Sequence, residues 1–202
     1  MRIRALTGAL TAVAILVLAG CSGSADTTAG STGQAGQPAG TSIVQADHNQ
    51  ADVTFAQHMI PHHGQAIQMA RMATARGQSP QVKDLARRIE AAQGPEIETL
   101  TGWLEQWGAP VPPATGAGQG GMGHCPGGMM SPAQMGQLGP ASGTGFDGMF
   151  LQMMIRHHEG AVTMARTEID TGQHPAAIAL AKQIIQTQQA EIREMQALLS
   201  QG

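Results

Sequence analysis

Two short stretches carry most of the chemistry in this 202-residue chain: HMIPHH (His58 to His63) and MMIRHH (Met153 to His158). Both contain M-x-x-H-H, as Met59, His62, His63 and as Met154, His157, His158. On a helix, residues three and four positions beyond a methionine lie one turn above it. A thioether and two imidazoles can therefore converge within one turn. Imidazole binds zinc, copper, iron and nickel, whereas thioether is soft and favours Cu(I). The mixture points to copper before zinc. Met69 and Met164 lie about 10 Å further along the axis than His62 and His157, at roughly 1.5 Å per residue. They read as core packing, as does Met195.

Further candidates surround these motifs. His58 and Met153 each immediately precede the motif methionine. Gln93, Glu96, Gln188 and Glu191 interrupt apolar stripes, and a buried carboxylate needs a partner. Glu96 and Glu191 can accept from histidine N–H groups or ligate directly. They can equally pair with Arg71, Arg166 or helix-end donors. A Gly/Pro-rich stretch holds a second soft cluster of Met122, His124, Cys125, Met129 and Met130. The competing reading makes the histidines structural polar packing, because a duplication copies core residues as faithfully as ligands. Histidine must be neutral to bind, so affinity is expected to fall below about pH 6.5.

The elements that position these residues come from an internal repeat. Residues 52–100 align without a gap to 147–195, with 20 identities in 49 positions, including Asp52/Asp147, Phe55/Phe150, Gly77/Gly172 and Pro80/Pro175. Such self-similarity has to be recognised before any fold is assigned. In each copy an apolar stripe at helical spacing (Phe55, Met59, His62, Ala66, Met69, Ala73) ends at a glycine, and proline restarts the chain at a first helical position. Two such hairpins predict an all-α four-helix bundle with approximate twofold symmetry, with hairpins over 47–107 and 146–202. Pro61 and Gly94-Pro95 fall inside helices, where proline removes a hydrogen bond and kinks the chain. The linker, 108–145, is mostly loop, with a short helix predicted from Pro132 to Leu138 behind Ser131.

The chain begins with a basic start, an apolar run and Leu18-Ala19-Gly20-Cys21, the pattern of a lipoprotein signal over residues 1–20 with Cys21 lipidated. Residues 21–46 form a Gly/Ser/Thr-rich tether too polar to fold. The bundle, 47–202, is thus expected outside the cytoplasm, lipid-anchored to the outer face of a membrane. Removing Arg2 and Arg4 leaves 9 basic against 14 acidic residues, a balance of −5, with no basic stripe for nucleic acid. With Cys21 lipidated, Cys125 is the only thiol left, and a lone cysteine in an exported protein suggests a metal ligand, a reactive thiol or an intermolecular bridge.

HMIPHH, MMIRHHEGAVTMA and the Q-x-x-E-I segments Gln93 to Ile97 and Gln188 to Ile192 resemble the domain-of-unknown-function family numbered 305, over roughly residues 47–200. The resemblance implies a ferritin-like four-helix bundle, often exported, with some relatives linked to copper binding and tolerance. The leading expectation is a membrane-tethered protein that sequesters or delivers Cu(I). A carboxylate-bridged di-iron oxidase needs Glu-x-x-His on two helices, and no Glu-x-x-His occurs in the chain. An interaction module with structural histidines is the remaining alternative. No catalytic residue and no protein partner is identified.

Overall fold

A computed structural model describes residues 47–115 and 126–201. The signal segment, Cys21 and the tether lie outside the described residues, as do Met122, His124 and Cys125. Among the described residues the elements are α1 (Gln50–Arg76), α2 (Pro80–Gln106), a 3-10 turn (Pro126–Gly128), α3 (Pro132–Leu138), α4 (Gly143–Thr171) and α5 (Pro175–Leu199). Capping chemistry sets the boundaries. Asn49 and Asp52 form a reciprocal capping box at the start of α1, which satisfies N–H groups that a helix start leaves without partners. Ser79 caps α2 and Pro80 opens it. His174 does the same for α5 ahead of Pro175, its Nδ1 accepting from the Ala177 N–H at 3.2 Å. Helix α3 matches the predicted span, with Ser131 and Gln134 in a second capping box. Pro61 and Pro95 are contained within continuous helices.

The repeat builds a fold by exchanging caps between its halves. Asp147, near the start of α4, accepts from the Gln78 and Ser79 N–H groups, the latter at 2.8 Å. Asp52, near the start of α1, accepts from Gln173 and from His174, the latter at 2.9 Å. Each aspartate thus holds the turn of the other hairpin. Burial alone would raise the Asp52 carboxyl, but the Asn49 N–H, Glu168 and the His174 and Gln173 N–H groups together hold it below its ordinary range. Glu168 is pushed up to about 8 by burial, and further by its hydrogen bond to and repulsion from Asp52. At neutral pH its uncharged form is therefore favoured beside Asp52. Replacing Asp147 by alanine removes acceptors from two backbone donors, and is expected to cost about 2–4 kcal/mol of stability in urea unfolding. A loss below half a kilocalorie would show that the turn holds itself.

Helices α1 and α4 form the central pair, α2 packs on α1, α5 packs on α4, and α2 and α5 barely meet. The core has two apolar clusters. One joins Phe55, Met59 and Ile60 of α1 to Leu100 and Leu104, Ala161 and Ala165, and Ile184. The other joins Ala66, Met69 and Ala73 to Leu85 and Ile89, Phe146, Phe150 and Met154, and Met195. The early part of α1 thus meets the late part of α4 and the reverse, so the two helices run antiparallel. The pseudo-twofold carries one cluster onto the other. Between the clusters lies the stretch of each helix that holds the polar residues: His62 and His63, Gln93 and Glu96, His157 and His158, Gln188 and Glu191, all buried.

The linker crosses the central helices at this level. A Cβ at Gly64 would stand 1.5 Å from the Ala114 carbonyl oxygen, and one at Gly160 would stand 1.6 Å from that of Gly127. Only glycine permits such approach of backbone to helix.

Candidate metal centre

At the centre of the polar layer the His62 and His157 rings lie with centroids 3.7 Å apart, tilted by 36°. The two residues are repeat equivalents, so the pseudo-twofold passes between them. His63 and His158 flank this pair, each ring 6.4 Å from its sequence neighbour's. The His63 Nε2–H donates to Glu96 at 2.7 Å, and the His158 Nε2–H donates to Glu191 at 2.8 Å. His62 Nε2–H donates to the Gly127 carbonyl at 2.7 Å. A carbonyl only accepts, so the His62 proton sits on Nε2 and a neutral ring keeps its lone pair on Nδ1.

The other ring nitrogens are the informative ones. Nδ1 of His62, His63, His157 and His158, together with Nε2 of His157, are buried with no protein partner. Both amide atoms of Gln93 and the Gln188 oxygen share that condition. Eight of the eleven such atoms among the described residues therefore lie in this one layer. Each unsatisfied buried polar group costs about 1–3 kcal/mol, and native cores hold few of them. Four of the eight are imidazole nitrogens that present a lone pair when the rings are neutral, one from each of His62, His63, His157 and His158.

Burial keeps the central rings neutral. Burial is the main cause that lowers His62 to about 3, with His63 adding to it. Burial likewise holds His157 well below the ordinary histidine value, ahead of His62, His158 and His63. For these two residues the expected fall of affinity below pH 6.5 shifts to far more acidic conditions, because desolvation disfavours the imidazolium.

The remaining candidates divide clearly. Glu96 and Glu191 take the histidine-acceptor role, while Arg71 pairs with Glu90 instead. Met59 and Met154 are fully buried but belong to different apolar clusters, one on each side of the histidines. Met153 and Met130 pack in the same cluster as Met154, Met129 is half-buried, and His58 is exposed on α1. Among the described residues no three His, Cys, Asp or Glu side chains form a ready-made ligand set. The His62 and His157 rings are in contact with each other at the centre of the layer. Sequence reasoning missed the Asp52 and Asp147 caps, although both were identities in the repeat. It also missed Gln65, whose side chain bonds the Met130 backbone, and nothing in its local sequence marks it.

The layer's residues coincide with a known family's span. The model of the domain of unknown function DUF305 matches residues 52–199. The chain belongs to this family. A DUF305 protein from Streptomyces coelicolor, thought to be secreted, shares 34% identity at a TM-score of 0.66, over 75% of this chain and 93% of its own. CopM in its Cu(II)-bound form shares 36% identity at a TM-score of 0.63, over 74% of this chain and 96% of its own. CopM in its Cu(I)-bound form gives 33% and 0.61 over the same shares. It has also been solved with silver and in an apo form. No functionally curated protein sequence matches this DUF305 chain.

Proposed function

We propose that this DUF305 protein binds copper, as Cu(I), in the histidine layer between α1 and α4, and sequesters or delivers it outside the cytoplasm. The cluster of buried, unpartnered imidazole nitrogens carries the reading. Nδ1 of His62, His63 and His158 and either nitrogen of His157 are the donor atoms. Glu96 and Glu191 orient His63 and His158 from behind, as carboxylates commonly do for metal-bound histidines. Met59 and Met154 supply thioether from the two flanking clusters, and the soft donors favour Cu(I) over Zn. Met122, His124, Cys125 and Met129 of the linker assist capture. Support comes from CopM, a structural neighbour solved with Cu(I), Cu(II) and silver. In this reading Cys21 carries the lipid and residues 21–46 hold the bundle off the membrane.

The test is a competition titration of the untagged protein against a chromophoric Cu(I) chelator at pH 7 and pH 5. Tight binding at both values is expected, because His62 and His157 stay neutral. Failure to compete for Cu(I) at pH 7 would overturn the proposal.

A further inference from the structure

We propose that Gly127–Met130 is a strap that gates the histidine layer, so that metal enters and leaves only when this segment lifts from α4 and releases His62. This rests on copper binding in that layer. Three sets of contacts hold the strap shut. The Gly127 carbonyl accepts from His62 Nε2–H at 2.7 Å. The buried Gln65 side chain grips Met130 at two points, donating to its carbonyl at 2.8 Å and accepting from its N–H at 2.6 Å. The strap backbone also rests directly on α4. A Cβ at Gly160 would stand 1.6 Å from the Gly127 oxygen, and one at Gly128 would stand 2.4 Å from the Arg156 oxygen. Gly127 and Gly128 have φ of +71° and +76°, a conformation open mainly to glycine.

The repeat shows that this contact is built into the chain. Gln65 and Gly160 occupy equivalent places in the two copies. One copy supplies the grip and the other supplies the clearance, at the level of the histidines. The two hairpins have diverged where the strap crosses them.

The strap also controls the motion that binding requires. His62 and His157 are in ring contact, so one ring must turn before a single ion can meet both. His62 is tethered through Nε2 to the strap, and lifting the strap frees it. Release breaks a few hydrogen bonds and leaves the long helices packed, which makes it a local opening and not global unfolding.

Two variants test the gate. Gln65→Ala removes the grip on Met130. Gly160→Ala pushes the strap off α4, so the two variants loosen the strap by different routes and neither lowers helix propensity. Diethyl pyrocarbonate acylation of His62, followed by peptide mass spectrometry in the absence of metal, reports access directly. Both variants are expected to react about tenfold faster than the parent, the scale of one to two net hydrogen bonds. Stopped-flow transfer of Cu(I) to and from a chelator is expected to speed up in both directions, with Kd little changed. Acylation at the parental rate in both variants would overturn the strap, whatever copper does. If the parent bound no copper at equilibrium, the copper reading would fall, and the acylation rates would still decide whether the strap covers His62.

Discussion

Leucine at both His62 and His157 is expected to weaken Cu(I) binding at least about a thousandfold, roughly 4 kcal/mol, while making the apo bundle more stable. The two residues supply three of the five buried ring nitrogens that lack a protein partner. Replacing unsatisfied polar groups by apolar ones of similar size removes a cost of about 1–3 kcal/mol each. Leucine also joins the apolar clusters above and below the layer. Freeing the Gly127 carbonyl offsets part of the gain, since it loses its imidazole donor. A net rise of about 2 kcal/mol in urea unfolding, together with lost copper competition, would mark the histidines as retained for binding at the expense of stability. Structural histidines predict the opposite pair of results: a destabilised fold and unchanged copper affinity.

The apo protein is also expected to be acid-labile. His62 titrates near 3 in the fold and near 6.5 in an unfolded chain, and His157 shifts in the same direction. Between those values the unfolded chain binds protons that the folded one refuses, so stability falls as pH falls. From pH 6.5 to 4 His62 alone accounts for about 3 kcal/mol, at about 1.4 kcal/mol per pH unit. His157 adds to that loss, against a total stability of about 5–15 kcal/mol for a typical domain. Urea midpoints measured from pH 7 to 4 should drop steeply for the apo protein. Bound Cu(I) should raise the midpoint at every pH without flattening the slope, because a coordinated nitrogen takes no proton while the unfolded chain still binds one. In the His62→Leu, His157→Leu protein the slope should be shallow without metal. A parental profile flat between pH 6.5 and 4 would contradict neutral burial of these rings.

The fold was legible in the sequence because its signals are local or repeated. The 3.6-residue stripes, the glycine stops, the prolines at first helical positions and the Ser131 cap each act within a turn or two, and the repeat turned one hairpin into two. The histidine pairs were legible as candidates for the same reason. What joins the halves was not. Asp52 and Asp147 act across roughly 70 to 120 residues on backbone N–H groups, which carry no side-chain signature. His62 meeting His157 depends on how α1 crosses α4, and Gln65 meeting Met130 depends on the course of the linker. The placement of Met59 and Met154 on opposite sides of the layer likewise follows from the antiparallel crossing. Spacing within one helix could not reveal it. Nor could spacing indicate that burial would keep His62 and His157 neutral.

The proposed copper site lies between α1 and α4 and is made by both halves of the repeat. Copper-edge anomalous diffraction from crystals of the Cu(I)-loaded protein would locate it. A principal peak is expected within bonding distance of imidazole nitrogens from both His62–His63 and His157–His158. A peak confined to one half, or found only at the methionines and Cys125 of the linker, would contradict it.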